Sequence, residues 1–231
     1  MCRLIALALF SVVSLSLLNL SADDKDGFTA LFNGKDLSGW SVVTKGAKAD
    51  GKATWTVADG VLKCSGKPTG YLVTDKVYAD YILRLKWKFA PTDLKRPNSG
   101  VLIHAQKPDV FWPHSYEAQL ASGEAGDIWF QYDAQKQLPK LAIDPTRKNE
   151  ANKEGRQYFR IGKGEKIEKP IGEWNQYEIT CKGGDVTICV NGKLVNEGKD
   201  GSLTQGRIGL QADGAEIHFK DIELKPPEPR R

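Results

Sequence analysis

The chain has 231 residues, 40% of them hydrophobic, with 23 Gly, 11 Pro and six Trp, enough for one large domain with a real core and no need of a second. Lys and Arg number 33 against 29 Asp and Glu, a formal charge of +4 with the two signs interspersed. No basic block or basic helix stands out, which excludes nucleic acid as the expected partner.

Residues 1–22 read as a secretory leader rather than a membrane anchor. One cation, Arg3, precedes an apolar run from Leu4 to Leu20, and Ser21-Ala22 leads into the charged Asp23-Asp24-Lys25-Asp26. Its removal takes away one cation and no acid, so the charge falls from +4 (33 against 29) to +3. The expectation is an exported protein, periplasmic or extracellular, with no membrane attachment after processing. Cys2 leaves with the leader, and Cys64, Cys181 and Cys189 remain, in spacings that match no zinc pattern. They are expected to be structural, with one bridge to Cys64 left open.

From there almost every segment alternates with period two and ends at Gly, Asn, Asp or Pro, the pattern of short antiparallel strands. Trp55-Thr56-Val57 and Val61-Leu62-Lys63 flank Ala58-Asp59-Gly60, where Asp-Gly supplies the positive φ values of a tight hairpin. Tyr81, Leu83, Leu85, Trp87 and Phe89 alternate with Ile82, Arg84, Lys86 and Lys88, a long strand with an apolar inner and a solvated outer face. In SGVLIHAQ, Val101, Ile103 and Ala105 oppose Leu102, His104 and Gln106; in SYEAQL, Tyr116, Ala118 and Leu120 oppose Glu117 and Gln119. In GDIWFQY, Ile128, Phe130 and Tyr132 oppose Asp127, Trp129 and Gln131.

The polar stretch 135–169 is expected to be a functional or mobile loop, with Arg156 and Arg160 read first as solubilising residues and second as ligand contacts. Gly183-Gly184 and Asn191-Gly192 mark two consecutive hairpins, in which Cys181 shares a face with Val186 and Ile188 while Cys189 takes the other. Ile217 and Phe219 keep one parity and Ile222 and Leu224 the other, which predicts a bulge around Lys220-Asp221. Residues 226–231, PPEPRR, are too short and Pro-rich to pack. The chain is therefore expected to be one all-β domain over residues 23–225, two antiparallel sheets packed as a jelly-roll sandwich.

If the apolar sets face the core, the opposite surface collects His104, Glu117, Gln119, Trp129 and Gln131. That mixture suits a sugar: an aromatic plate for the ring's C–H face, amides and a carboxylate for hydroxyls, and an ionisable pair for proton transfer. The plain alternative is a solvated sheet face without function, or, for Trp129, an inverted register that makes it core. No phosphate loop, dinucleotide fingerprint or Gly-x-Ser-x-Gly elbow is present.

In order along the chain, LFNGKDLSGW, WTVADGVLKC, GYLVTDKVYADYILRLKWKF, NSGVLI, YEAQL, GDIWF, KPIGEWNQYEI, VNGKLVN and GRIGLQADGAEIHFKDIEL resemble the 3-keto-disaccharide hydrolase family, also described as 3-keto-glucoside lyase and 3-keto-2-hydroxy-glucal hydratase. The resemblance covers essentially the whole mature chain. It implies a jelly roll of the concanavalin A-like lectin and glucanase type, export, and action on small carbohydrates already oxidised at C3. It also implies site positions at Asn98, Ser99, Gly100, Glu117 and Gln119. The chain departs from the pattern where many members carry Arg soon after NSGV (here Leu102-Ile103-His104), where many continue into an Asp (here Leu120-Ala121), and where Arg-Asn is common near the end (here Lys220-Asp221). Those departures leave the electrophilic group and any second carboxylate unassigned.

A ketone at C3 acidifies the C2 proton, so the chemistry implied is proton abstraction, elimination of the C1 substituent and addition of water to the resulting double bond. Glu117 is the expected base, exchanging roles with His104, and Gln119 or a bound divalent metal is the enolate partner. His104 and Glu117 are suitable ligands, which leaves a metal open. Asn98, Ser99, Gln119, Trp129, Gln131 and Asp127 are the expected substrate contacts. The rivals are a lectin-like binding module and a two-carboxylate glycosidase, for which Asp127 is the one candidate second acid. The oligomeric state is not legible.

Overall fold

The computed structural model describes residues 26–46, 54–146, 149–151, 157–159 and 167–228, the segments 149–151 and 157–159 as backbone only. The expected leader, Arg156, Arg160 and the last three residues of the expected tail lie outside these. In chain order the strands are β1 (Thr29–Ala30), β2 (Trp40–Thr44), β3 (Trp55–Ala58), β4 (Val61–Cys64), β5 (Gly70–Thr74), β6 (Tyr81–Phe89), β7 (Gly100–Ala105), β8 (Ser115–Gln119) and β9 (Ile128–Gln131). They continue with β10 (Ala142–Ile143), β11 (Asn149–Ala151), β12 (Gln157–Phe159), β13 (Asn175–Lys182), β14 (Asp185–Val190), β15 (Lys193–Lys199), β16 (Arg207–Ala212) and β17 (Ile217–Lys225). Among the described residues there is no helix.

Sheet A runs β10-β15-β14-β13-β6-β17-β4-β3, with β1 on β17, and sheet B runs β11-β12-β9-β8-β7-β16-β5-β2. Non-consecutive neighbours such as β6-β17-β4 and β7-β16-β5 make this a jelly roll rather than a meander. The stretch expected as one long loop contributes three short strands, β10 to sheet A and β11 and β12 to sheet B. The turns form where positive φ was expected, at Asp59-Gly60 (54° and 74°) and Asn191-Gly192 (49° and 78°). The β17 bulge falls between Lys220 and Glu223, with Asp221 at φ 49°.

The early NGKDLSGW stretch is a self-bonded turn. Asn33 Oδ1 accepts from the amides of Lys35 and Asp36, Asn33 Nδ2 donates to Asp36 Oδ1 (2.7 Å), and Ser38 N donates to the same oxygen (2.9 Å). Bonds from Ser38 and then Asn33 hold the Asp36 carboxyl down at about 2.

Between the sheets lies one large core, with Leu83, Leu85 and Trp87 of β6 and Tyr177 of β13 facing Ile103 and Tyr116 of sheet B. No disulfide forms. Cys64 and Cys181 are free and buried, and Cys189 is free and half-buried. Cys64 is on β4 and Cys181 on β13, three strand spacings apart through β17 and β6, or ~14 Å, twice the reach of a bridge. Burial pushes both thiols up to about 12.

The two sheets differ in their outer faces. In sheet A, β6, β13 and β14 alternate buried with half-buried positions, so that outer face is solvated. In sheet B, β5, β7, β8 and β16 are buried at every position. Part of the cover is a second apolar cluster of Tyr71, Val73, Leu102 and Ala105, against which Val43 and Trp112 pack. Trp112 belongs to segment 106–114, a strap across the outer face of sheet B. The strap is tied down by an Arg207–Asp109 ion pair, by Tyr71 Oη donating to Val110 O (2.9 Å), and by Gln106 Nε2 donating to His104 O and Gln205 O (both 2.7 Å).

Only 4% of the Arg207 side chain is exposed, against 32% for Asp109, so removing the acid strands a buried guanidinium. Asp109→Ala is expected to cost about 3 kcal/mol in urea unfolding, and Arg207→Met clearly less, because Asp109 keeps its access to water.

Candidate functional site

Strand register decides which side chains meet on the outer face of sheet B. Gly209 opposes both Val73 and Leu102, Leu102 opposes Glu117, and Glu117 opposes Trp129. Ser115 opposes Gln131 in the next row on one side of Glu117, and Gly100 opposes Gln119 in the next row on the other. Because Tyr71, Val73 and Leu102 belong to the outer cluster, Glu117, Gln119, Trp129 and Gln131 share their face.

Glu117 is the centre. It is 3% exposed, and its Oε2 accepts from Gln131 Nε2 at 2.5 Å. Its carboxylate sits directly over Gly100, where a Cβ would lie 2.4 Å from Oε1. The glycine is therefore needed for space, since its φ is not in the left-handed region. Gln119 Oε1 accepts from the amides of Leu120 and Ala121, both 2.9 Å, which fixes the carboxamide and leaves Nε2 as its donor end. Asp127 is buried on the same parity just before β9, its main-chain oxygen accepting from Gln119 N.

Two expected site residues lie elsewhere. His104 is drawn to the opposite face by a bulge: Arg207 opposes Ala105 and Gly209 opposes Leu102, so Ile103 and His104 together face Ile208. His104 takes φ 53°, and its ring points inward, Nδ1 2.8 Å from Leu203 O, Nε2 3.1 Å from Ala79 O, edge-on to Tyr81. With both nitrogens against main-chain carbonyls it neither pairs with Glu117 nor forms a metal site with it. Among the described residues no group of three or more His, Cys, Asp or Glu is placed to hold a metal. Ser99 is also off the face: its Oγ donates to Gln211 O (2.8 Å), tying β7 to β16, while its neighbour Asn98 stays on the outer side.

The imidazole that does reach the site is His114, which the sequence reading did not single out. It ends the strap one residue before β8, so strand alternation does not apply to it. Its Nδ1 lies 2.9 Å from the main-chain oxygen of Gln131. A carbonyl only accepts, so Nδ1 carries the proton and Nε2 of the neutral ring is the basic nitrogen. His114 and Gln131 form one wall of a cleft of about 960 Å³ whose other walls include Phe111, Trp112, Tyr132 and Lys136. The Phe111 and Trp112 rings lie 4.5 Å apart, tilted by 38°, giving the cleft an aromatic side. Gln131 thus touches both ionisable groups, the carboxylate through its side chain and the imidazole through its backbone. The scarcity of histidine, three in the chain, was the one sequence signal for His114.

Two antiparallel sheets in jelly-roll order, with a covered polar row on one outer face, define a concanavalin A-like sandwich. Solved structures agree on the fold: a Parabacteroides distasonis protein is 24% identical with a TM-score of 0.60, covering 88% of this chain and 95% of its own. A Bacillus subtilis carbohydrate-binding module (12% identical, TM-score 0.56, 81% and 96% covered) and the Bacillus licheniformis beta-glucanase (10%, 0.53, 82% and 92%) share it as well. At the level of family, the 3-keto-alpha-glucoside-1,2-lyase-like domain matches residues 27–225, and the chain belongs to that family. A Bacteroides thetaiotaomicron relative named 3-keto-disaccharide hydrolase is 24% identical over 251 residues, 87% of this chain and 79% of the relative. Family membership makes this a carbohydrate-active, hydrolase-like protein.

The packing of Glu117 on Gly100 yields a coupling. Gly100→Ala is expected to cost about 1–3 kcal/mol in the parent and less than about 0.5 kcal/mol in a Glu117→Ala background, as read by a double-mutant cycle of urea unfolding. His104 yields a pH dependence. Burial, outweighing its carbonyl contacts, lowers its pKa below the usual 6.5. The unfolded chain therefore takes up the proton first, and the stability held above pH 6.5 is lost as pH falls towards the lower folded value. Urea midpoints between about pH 7.5 and 5 should fall more steeply for the parent than for His104→Gln.

Proposed function

We propose that this protein cleaves 3-keto-glycosides by taking the C2 proton, eliminating the C1 substituent and adding water to the unsaturated product. One observation carries the reading: Gln131 holds the Glu117 carboxylate at 2.5 Å through its side chain and the His114 ring at 2.9 Å through its main-chain oxygen, and His114 and Gln131 line one cleft beside the buried acid. The family and the named relative support the substrate class.

The C3 carbonyl draws charge from C2, so Glu117 accepts the C2 proton as the C–H electron pair moves into an enolate. Gln119 Nε2 donates to the oxygen where that charge gathers. The enolate re-forms the carbonyl and expels the C1 oxygen, which leaves with the proton from Glu117, giving a C1–C2 double bond conjugated to the ketone. Water then adds at C1 while His114 Nε2 takes its proton, the C1–C2 electron pair moves into the enolate, and the proton that water gave up is passed on to C2 as the ketone re-forms, leaving His114 neutral. No oxocarbenium ion is needed, so one carboxylate suffices where a conventional glycosidase needs two. Asn98, Asp127 and Trp129 complete the substrate contacts in this reading, with Phe111 and Trp112 of the strap.

Purified protein given 3-keto-trehalose or a methyl 3-keto-glucoside should consume it. Glu117→Gln is expected to lower turnover by ~10²–10⁴-fold while leaving calorimetric affinity largely intact, and His114→Gln to slow the hydration half more than the elimination half. A protein that binds these sugars, turns none over and tolerates Glu117→Gln is a binding module, and the proposal falls.

A further inference from the structure

Beyond Glu117, in the direction away from the aromatic cleft, the outer face of sheet B continues for two more rows. Gln211 opposes Tyr71, which places it on that face in the row of Gly100 and Gln119. Asp213 and Asn98 follow, bridged to each other where β16 ends. At ~3.4 Å per residue these rows stand about 7 and 14 Å from the row of Glu117. The cleft at His114 and Gln131 lies on the other side, so the carboxylate sits between two regions.

The far region holds two unpartnered acceptors. Gln211 is 3% exposed, and its Oε1 is buried with no hydrogen-bond partner. Asn98 Nδ2 donates to Asp213 Oδ2 at 2.5 Å, which fixes the carboxamide, and Asn98 Oδ1 is likewise buried and unpartnered. Two neighbouring orphan acceptors are costly, about 1–3 kcal/mol each, and a native fold keeps such groups where something else satisfies them. Asn98 and Asp213 are half-buried, so the row opens to solvent at that end.

We infer that Asn98, Gln211 and Asp213 form a second sugar subsite, whose acceptors take the hydroxyl protons of the ring beyond the scissile bond. The ligand must supply several donors within a few ångströms, which is what adjacent hydroxyls of one pyranose do. A cation is the poorer fit, because the only carboxylate of the three is already bonded to Asn98 and no acidic cluster accompanies it among the described residues. The aromatic cleft takes one ring, the acceptor row takes the other, and Glu117 stands at the junction. This rests on the functional reading for the position of the junction, but not for the existence of the subsite.

The experiment measures binding without turnover, in a Glu117→Gln background, by calorimetry with 3-keto-trehalose, unoxidised trehalose, methyl 3-keto-glucoside and Ca²⁺. Adding Gln211→Leu should weaken both disaccharides by roughly 2- to 12-fold and leave the methyl glycoside unchanged. The melting temperature should stay the same or rise, because an orphan acceptor has been removed. Equal losses for the disaccharides and the methyl glycoside, a fall in melting temperature with unchanged affinity, Ca²⁺ binding that Gln211→Leu abolishes, or no disaccharide binding to the parent background would each overturn the subsite. Loss of disaccharide affinity in Gln211→Leu, together with a wild-type protein that turns over no 3-keto-sugar, upholds the subsite and removes the chemistry.

Discussion

A carboxylate held out of bulk water on the outer face of a sheet constrains everything around it. Desolvating Glu117 is costly unless its oxygens are bonded and its neighbours leave it room. Gln131 supplies one bond at 2.5 Å, and Gly100 leaves the space that any larger residue would occupy. Both depend on β7, β8 and β9 lying side by side in one register, which the jelly-roll order provides. The strap depends on the same sheet, since Arg207, Tyr71 and the carbonyl of His104 anchor it. The cleft, the imidazole at its wall and the buried acid are thus consequences of a single covered surface.

The contrast between the sheets explains what was legible in the sequence. Alternation survives in β6, β13 and β14 because one face of sheet A is wet, and the hairpin turns at Asp59-Gly60 and Asn191-Gly192 announce themselves through residues that tolerate positive φ. The bulge on β17 was readable because apolar residues change parity across it. On β7 the same device was invisible. Val101, Leu102 and Ile103 are all apolar because both faces are covered, so nothing in GVLIHA marks where parity breaks. His104 was consequently assigned to the wrong side. His114 escaped because a residue in a strap obeys tertiary contacts rather than strand period, and the three short strands β10, β11 and β12 were too brief to show a pattern.

The stretches that carry the family resemblance divide into two kinds. LFNGKDLSGW builds a turn through Asn33 and Asp36, and KPIGEWNQ joins VNG through Asn191 Nδ2 donating to Asn175 Oδ1 (2.9 Å), both remote from Glu117 in the sheet order. NSG, YEAQL, GDIWF and QAD lie together on β7, β8, β9, β16 and their ends. Sequence similarity alone cannot separate frame from site, whereas strand register can. Gln211 and Asp213 stand beside Gly100 and Asn98 although more than a hundred positions separate them along the chain.

The free thiols of Cys64 and Cys181 bear on how the molecule meets oxidants. With both raised to about 12, essentially no thiolate exists near neutrality, and the thiolate is the species that attacks disulfides and peroxides. Among the described residues neither sulfur has a bridging partner within reach, and neither is open to glutathione while the sandwich stays folded. Two cysteines can therefore persist reduced in an oxidising environment without a dedicated reductant, their chemistry silenced by the same packing that holds the two sheets together.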